Sequence, residues 1–492
     1  MSDRRRGAIC RSLMLPMLWM SASCIASRSD GFDVLISERG IGEAAATSDV
    51  ARFGGCALSE PDMPLRFAEA VARAMCRHPE TRAAWADVKT QAAALGVARA
   101  AYLPTLSLTG QAVRQGAVTD VTGHPALSSA TRANVYSANA SINWLLYDFG
   151  ARSADVRYAS ALLEATRWTR NATLLSLYVA VAKDYYAVQA AEGVLAAASE
   201  TERNAGDVAR IARARVNKGI APLSDVLQAD TSYQQAAIAK SKANGEWLTA
   251  RGALAVDLDL RPDFALSLPQ VSGHALPEVH LSRSIRDLLG EVERMHPGVL
   301  AAEAQVGAAN ARAERIRASG LPTLGLTGRY GRNNQPASQG LGIPQYAATG
   351  REWYVGFQVS IPLFEGFSRR HQVRQALAER DKQVASLDSA RQRAVLEAWS
   401  SYQALKVAFE TVAQSEALLR TAMKSSEVAE KRYRLGVGNM LEVLSAQRTL
   451  ADSRQRRVEA ISEWSRQRVR FGAALGRVGD EDIDLEVDDG KS

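Results

Sequence analysis

Two stretches of the chain place the same residue types at the same spacing. One runs Arg215-Val216-Asn217-Lys218-Gly219-Ile220-Ala221-Pro222-Leu223-Ser224-Asp225-Val226-Leu227. The other runs Arg432-Tyr433-Arg434-Leu435-Gly436-Val437-Gly438-Asn439-Met440-Leu441-Glu442-Val443-Leu444. Offset by 217 residues, an arginine, a glycine, an acid (Asp225, Glu442) and a Val-Leu pair coincide. The glycine predicts a left-handed C-cap and the polar residues after it open the next helix, so each stretch reads as a helix-turn-helix tip. Taken alone, the carboxylate of Glu442 is a solvated charge in a first helical turn, stabilised by the helix dipole. Catalysis finds little else to stand on. The histidines at 78, 124, 274, 280, 296 and 371 are scattered, and His78 and His296 precede prolines, as turn residues do. There is no His-Glu-x-x-His helix, Cys-x-x-Cys pair, phosphate-binding glycine loop or Gly-x-Ser-x-Gly elbow. The reading is of a protein that is not an enzyme and uses no cofactor or metal.

The same offset recurs along the chain. His78-Pro79 matches His296-Pro297, and Leu103-Pro104-Thr105-Leu106 matches Leu321-Pro322-Thr323-Leu324, both at 218. Leu146-Tyr147-Asp148 matches Leu363-Phe364-Glu365, and Trp247 matches Trp464, both at 217. This is a tandem duplication of a unit of roughly 200 residues, and it replaces the domain count that length alone suggests.

Each unit contains two kinds of pattern. From Leu103 the period becomes two: Leu106, Leu108, Gly110 and Ala112 alternate with Ser107, Thr109 and Gln111. After a polar loop near 117–132, Tyr136, Ala138, Ala140, Ile142 and Trp144 alternate with short polar residues. Leu324, Leu326 and Tyr330 repeat this in the second unit, as do Trp353, Val355, Phe357, Val359 and Ile361. The prediction is four strands of about ten residues. A soluble sheet with one wet face also alternates. Spanning length, a polar partner face and the aromatics Tyr136, Trp144, Trp353 and Tyr354 near strand ends favour a membrane barrel with aromatic girdles. Four strands cannot close a barrel and open edges are forbidden in lipid, so the chain must oligomerise. Two copies give eight strands and three give twelve; lumen width favours three.

The second pattern is helical. Residues from about 151 to 216 and from about 368 to 434 form segments of roughly 65 residues, on the order of 100 Å long as helices. Return helices near 223–255 and 440–475 run back against them, and such lengths imply coiled-coil packing. A helix near Leu65, with Leu65, Ala68, Val71 and Ala72 on one face, and another from Pro79 to about Tyr102 precede the first strands.

The termini and charge complete the picture. Residues 1–26 read as a secretory signal, with Arg4–Arg6 and Arg11 before a short apolar run, and residues 27–61 as a poorly ordered leader. Cys24 lacks a large aliphatic residue at the third position back, which argues against a lipid anchor. Cys56 and Cys76 are either a disulfide or two free thiols. The repeats span 62–260 and 281–477, joined by an irregular linker (261–280) and followed by an acidic tail (478–492). The net charge of +7 is modest and lacks the aromatic interleaving of a nucleic-acid surface, so no nucleic-acid partner is expected.

Taken together, these residues resemble the TolC family of outer-membrane efflux and secretion channels across about residues 62–477. The marks are Leu65-Arg66-Phe67-Ala68-Glu69-Ala70, His78-Pro79-Glu80, the paired Leu-Pro-Thr-Leu runs, the aromatic-acid-Gly turns and the two glycine tips. The resemblance implies an α+β membrane protein. Three copies would form a twelve-stranded outer-membrane barrel continuing into a twelve-helix periplasmic tunnel. It further implies that the tips dock a periplasmic adaptor coupled to an inner-membrane transporter, of ABC type in type I secretion. By that resemblance Gly219, Val226, Leu227, Gly436, Val443 and Leu444 lie at the adaptor contact. Tyr433, Glu442 and Asp225 lie at the periplasmic constriction, where an acidic ring would favour cations. Gly438 stands where the family prototype carries a basic residue, and Ser445 where it carries a second acid. The general pattern is similar to that of toxin-secretion channels, which makes a cyclolysin- or hemolysin-type protein the expected cargo. Small-molecule efflux is the alternative. A coiled-coil scaffold or adhesin without a pore is a further one.

Overall fold

The structure is a computed structural model that describes residues 64–269, 284–335, 346 and 348–478. The signal, the leader and Cys24 lie outside the described residues. So do Cys56, most of the linker and all but the first residue of the acidic tail. Cys76 is disulfide-bonded.

In chain order the elements are α1 (Phe67–Arg77), α2 (Pro79–Ala100), β1 (Thr105–Thr119), β2 (Ser129–Tyr147), α3 (Ala151–Asn217) and α4 (Leu223–Asp257). The second half gives α5 (Ile285–Met295), α6 (Pro297–Ala318), β3 (Thr323–Asn333), β4 (Gly350–Ser360), α7 (Ser368–Arg434) and α8 (Met440–Ala474). The two halves repeat the same order, and α3 and α7 are each 67 residues long. Among the described residues no helix is long and apolar enough to cross a membrane. That statement does not touch the strands.

Local chemistry sets the boundaries. Pro79 and Pro297 occupy first-turn positions, where a missing N–H costs nothing. The preceding histidines are the caps: His78 Nδ1 accepts from the Glu80 N–H at 3.3 Å, and His296 Nδ1 accepts from the Gly298 N–H at 3.2 Å. The sheet-to-helix turns use left-handed residues, Phe149 and Gly150 in one repeat and Gly366 and Phe367 in the other. Buried Asp148 accepts from the Arg152 N–H at 2.8 Å and pairs with the Arg152 guanidinium at 3.1 Å. Arg152 also donates to the Leu145 and Leu146 carbonyls, tying the last residues of β2 to the first turn of α3. Glu365 and Arg369, each 217 residues on, make the equivalent pair at 2.9 Å.

The helices pack as two four-membered layers that share α3 and α7. Near the sheet the order is α2-α3-α6-α7, and toward the tips it is α4-α3-α8-α7. Between them lies a core of Leu65, Val71 and Met75 with Tyr178, Val181 and Tyr185 of α3, and with Leu254, Leu258 and Val469. Ala68, expected on the buried face of α1, is exposed; the inward set is Ala70, Val71, Ala72, Ala74 and Met75, with Val71 and Ala72 as expected. The described part of the expected linker is irregular yet packed, since Leu266 and Leu268 are buried and the Leu65 N–H donates to the Ser267 carbonyl at 2.9 Å.

The strands form one antiparallel sheet in the order β1-β2-β3-β4. β1 and β2 are 15 and 19 residues long, so the connection is residues 120–128 rather than the whole of 117–132. Side-chain alternation lapses beyond Ala112, but the backbone ladder continues to Thr119↔Ser129. The register sorts the faces. Leu108, Ala140, Tyr330 and Trp353 align across the four strands, and so do Leu106, Ile142, Gly328 and Val355. The other face carries Thr109, Asn139, Ser141, Thr327, Arg329 and Gln358. Tyr354, opposite Arg329, falls on that polar face. Adjacent strand residues point to opposite sides, so Tyr354 cannot join Trp353 in one girdle.

Close helix approach requires glycine at one point. A Cβ at Gly193 of α3 would meet Val458 Cγ1 of α8 at 2.7 Å. Gly193→Ala should therefore cost about 1–3 kcal/mol by overpacking. A thermal melt should show a lowered midpoint that Val458→Ala restores in the double variant; equal melting of Gly193→Ala and the parent would contradict the contact.

Candidate functional site

At the end of the helices remote from the sheet, two hairpin tips lie side by side. Each turn has the same construction. Gly219 (φ +74°) lets the Ile220 N–H donate to the Arg215 carbonyl at 3.1 Å; Gly436 (φ +81°) lets the Val437 N–H donate to the Arg432 carbonyl at 3.0 Å. These are the long-range bonds of a Schellman cap, which a left-handed residue permits. Asn439 then caps α8, its Oδ1 accepting from the Glu442 N–H at 2.7 Å.

The two tips are fastened to one another by side chains from both repeats. Tyr433 is only 4% exposed, and its hydroxyl donates to Asp225 Oδ2 at 3.0 Å. The Arg215 guanidinium stacks on the Tyr433 ring at 4.7 Å. It also donates to the carbonyls of Tyr433 and Arg434. The repeat-related Arg432 makes a different bond, pairing with Glu442 of its own hairpin at 3.7 Å. One repeat thus supplies the arginine and carboxylate, and the other supplies the tyrosine that they hold. Burial, and then the hydrogen bond to the Asp225 carboxylate, push the Tyr433 hydroxyl up to about 12.

The structure divides the expected tip residues. Val443 is 1% exposed and packs with Val208, Ala212, Ala229, Met440 and half-buried Val226 in a small core. These valines support the tip from within. Leu227 is exposed and Leu444 partly so. Sequence reasoning passed over Ile220, Leu223, Leu435, Val437 and Leu441, all exposed at the tips. The signal available was their position beside the two glycines, where no packing partner exists in the hairpin. A groove of about 820 Å³ runs between α4 and α8 next to them, floored by Thr201, Asn204 and Ala205 of α3. Asp225 and Glu442 both sit in first helical turns and both are partly exposed.

At the opposite end, the apolar sheet face is solvent-open: Leu106, Leu108, Trp353 and Phe357 are each at least 74% exposed. A face of this kind in an isolated soluble sheet would be covered. Tyr136 and Trp353 lie on this face toward the hairpin loops, and Trp144 lies on it toward the helices, its Nε1 donating to the Tyr102 carbonyl at 2.9 Å.

An exposed apolar strand face joined to paired helical hairpins about 100 Å long defines an outer-membrane channel protein with a periplasmic tunnel. The chain belongs to the outer membrane efflux protein family, whose model matches residues 70–256 and 288–477. It is 31% identical to Protein CyaE of Bordetella pertussis over 85% of this chain and 86% of that protein. It is 25% identical to the toluene efflux pump outer membrane protein TtgC of Pseudomonas putida, over 73% and 72% of the two chains. The fold is also that of the outer membrane protein VceC from Vibrio cholerae, with a TM-score of 0.70 at 18% identity over 84% of this chain and 96% of that one. Proteins of this family are efflux and secretion channels of tripartite systems and not enzymes.

The Tyr433 bond yields a test with a defined sign. Because its ionisation is raised from about 10 to about 12, the fastening is fully present below pH 10 and is lost as pH rises through 12. Tyr433→Phe removes a bond to a charged acceptor worth about 1.5–3 kcal/mol. Spin labels on the two tips should report wider separations in Tyr433→Phe at pH 8, and in the parent only above pH 10. Identical distances in both proteins across that range would contradict the latch.

Proposed function

We propose that three copies of this chain form the exit duct of a type I secretion system whose cargo is a protein toxin of the cyclolysin or hemolysin type. The observation that carries the cargo reading is the likeness to Protein CyaE across 85% of the chain, at 31% identity. Physical reasoning supports the copy number. β1 and β4 are the free edges of the sheet and run antiparallel to each other, so β4 of one copy can pair with β1 of the next and close a ring. Two copies would give an eight-stranded barrel, whose interior side chains fill. Three give twelve strands, and the four helices of each layer become twelve around a tunnel.

In this reading an adaptor docks on the exposed apolar side chains around Gly219 and Gly436 and in the groove between α4 and α8. Asp225 and Glu442, repeated around the assembly, line the periplasmic entrance and favour cations while it is closed. Docking competes with the Tyr433–Asp225 and Arg215–Tyr433 contacts and opens the tips. An inner-membrane transporter of ABC type supplies the energy, since the sequence holds no phosphate-binding loop. The repeat boundaries at 62–260 and 281–477 are then two copies of one duct-forming unit.

Small-molecule efflux is the second reading, favoured by the 25% identity to the toluene efflux protein TtgC. Deleting the gene separates the two. Protein secretion requires that the toxin accumulate inside the cells while sensitivity to dyes and solvents stays at the parent level. Unchanged toxin export with heightened solvent sensitivity would establish efflux instead.

A further inference from the structure

The apolar face of the sheet ends in arginines. Arg351 of β4 lies directly opposite Arg332 of β3, which lies opposite Ala138 of β2 and, one strand further, Gly110 of β1. This row belongs to the same face as the row of Trp353 and Tyr330 and adjoins it on the side away from the helices. Further out on that face stand Arg114 and Arg132, diagonal neighbours across the β1–β2 ladder. All four side chains are exposed. Among the described residues, none of the four takes part in a hydrogen bond or ion pair through its side chain.

Like charges directly opposite each other destabilise a sheet unless an anion lies between them. Among the described residues no carboxylate lies between them. The only acid in the four strands is Glu352, which lies on the opposite face at 3.5 Å from Arg329. The strands of a neighbouring copy would likewise bring no carboxylate to this face. The connection between β3 and β4 contains no acid, and the one between β1 and β2 contains Asp120, which is paired with none of the four.

The height of the row points to what completes it. Trp353, Val355, Phe357, Val359, Ile361 and Leu363 form an unbroken exposed apolar run. The six residue steps from Trp353 to Val359 cover about 20 Å along β4, or about 15 Å across a membrane at a tilt near 40°, and Ile361 and Leu363 carry the run past the strand's end toward the height of about 25 Å of a barrel's apolar band. Arg351 and Arg332 occupy the next position outward, between the Tyr330–Trp353 row and Tyr136, where headgroups begin. Gly110 in the same row leaves open space, with nothing within 4 Å of where a side chain would start.

We propose that the Arg332–Arg351 row, extended outward by Arg114 and Arg132, binds the phosphate of a phosphorylated lipid in the outer leaflet of the outer membrane. A planar guanidinium offers two parallel N–H donors to a phosphate, so two facing arginines can hold one phosphomonoester from both sides. The lipid's acyl chains then lie along the apolar run from Trp353 to Leu363. The bound anion removes the repulsion between the arginines and fixes the depth of the barrel in the membrane.

The test uses the full-length protein extracted from outer membranes in mild detergent. Retained lipid is read by native mass spectrometry and unfolding by a thermal melt, with diphosphoryl lipid A, its dephosphorylated form and inorganic phosphate as probes. Diphosphoryl lipid A should be retained and should raise the unfolding midpoint; the other two should do neither. The double variant Arg332→Gln, Arg351→Gln should lose affinity about tenfold or more, as expected for lost charge-assisted bonds. Arg351→Glu keeps the sheet through a cross-strand ion pair and should also release the lipid. Arg329→Gln, on the polar face, should bind as the parent does. Equal retention by parent and both variants would overturn the proposal. So would an equal shift with inorganic phosphate, which would mean an adventitious ion only. Loss of lipid in Arg329→Gln but not in Arg351→Glu would overturn the assignment of the outward face.

Discussion

A backbone N–H or C=O left open to hydrocarbon costs several kcal/mol, and β1 and β4 each present a full row of them. The rest of the structure depends on this constraint. The sheet's apolar face fits only a membrane, and its edges tolerate a membrane only when paired. The proposed working unit is therefore an assembly of several chains. The alternation of strand direction from β1 to β4 lets identical copies satisfy one another head to tail, and the proposed ring of three closes without any edge remaining.

Below the sheet, the duplication does more than double the helix count. Related residues are used identically where the two halves must match and differently where they must meet. Asp148–Arg152 and Glu365–Arg369 brace equivalent strand-to-helix turns, and His78 and His296 cap equivalent helices. Arg215 and Arg432 share a position in the repeat, yet Arg432 pairs within its hairpin and Arg215 reaches across to the other. That asymmetry lets one chain hold its own tips together.

Much of this was legible in the sequence because length and breakers are local signals. The long helices were expected over 151–216 and 368–434, and they run from Ala151 to Asn217 and from Ser368 to Arg434. Glycine after a long apolar-periodic run marks a C-cap whatever the tertiary context. Strand ends were less legible. Residues 113–119 and 129–135 lack clean alternation, and only the ladder of backbone bonds defines them. Trp353 and Tyr354 look alike in sequence, while the pleat sends adjacent residues to opposite faces, so only Trp353 joins the apolar face. Val226 and Val443 read as contact residues because the family motif includes them; in three dimensions they fill the tip core while Leu223, Leu227 and Leu441 are exposed. The junction arginines, Arg152 and Arg369, carried a readable signal, an acid four residues earlier in both repeats, that composition alone does not reveal.

The claim on which everything else rests is that the sheet edges are closed by other copies within the outer membrane. The most direct measurement is the mass and cellular location of the protein extracted with mild detergent, by light scattering with correction for bound detergent. The account predicts an outer-membrane species of three chains. A soluble species, or a monomer that needs no detergent, would mean that the strands do not form a barrel, and the coiled-coil scaffold reading would take the place of the duct.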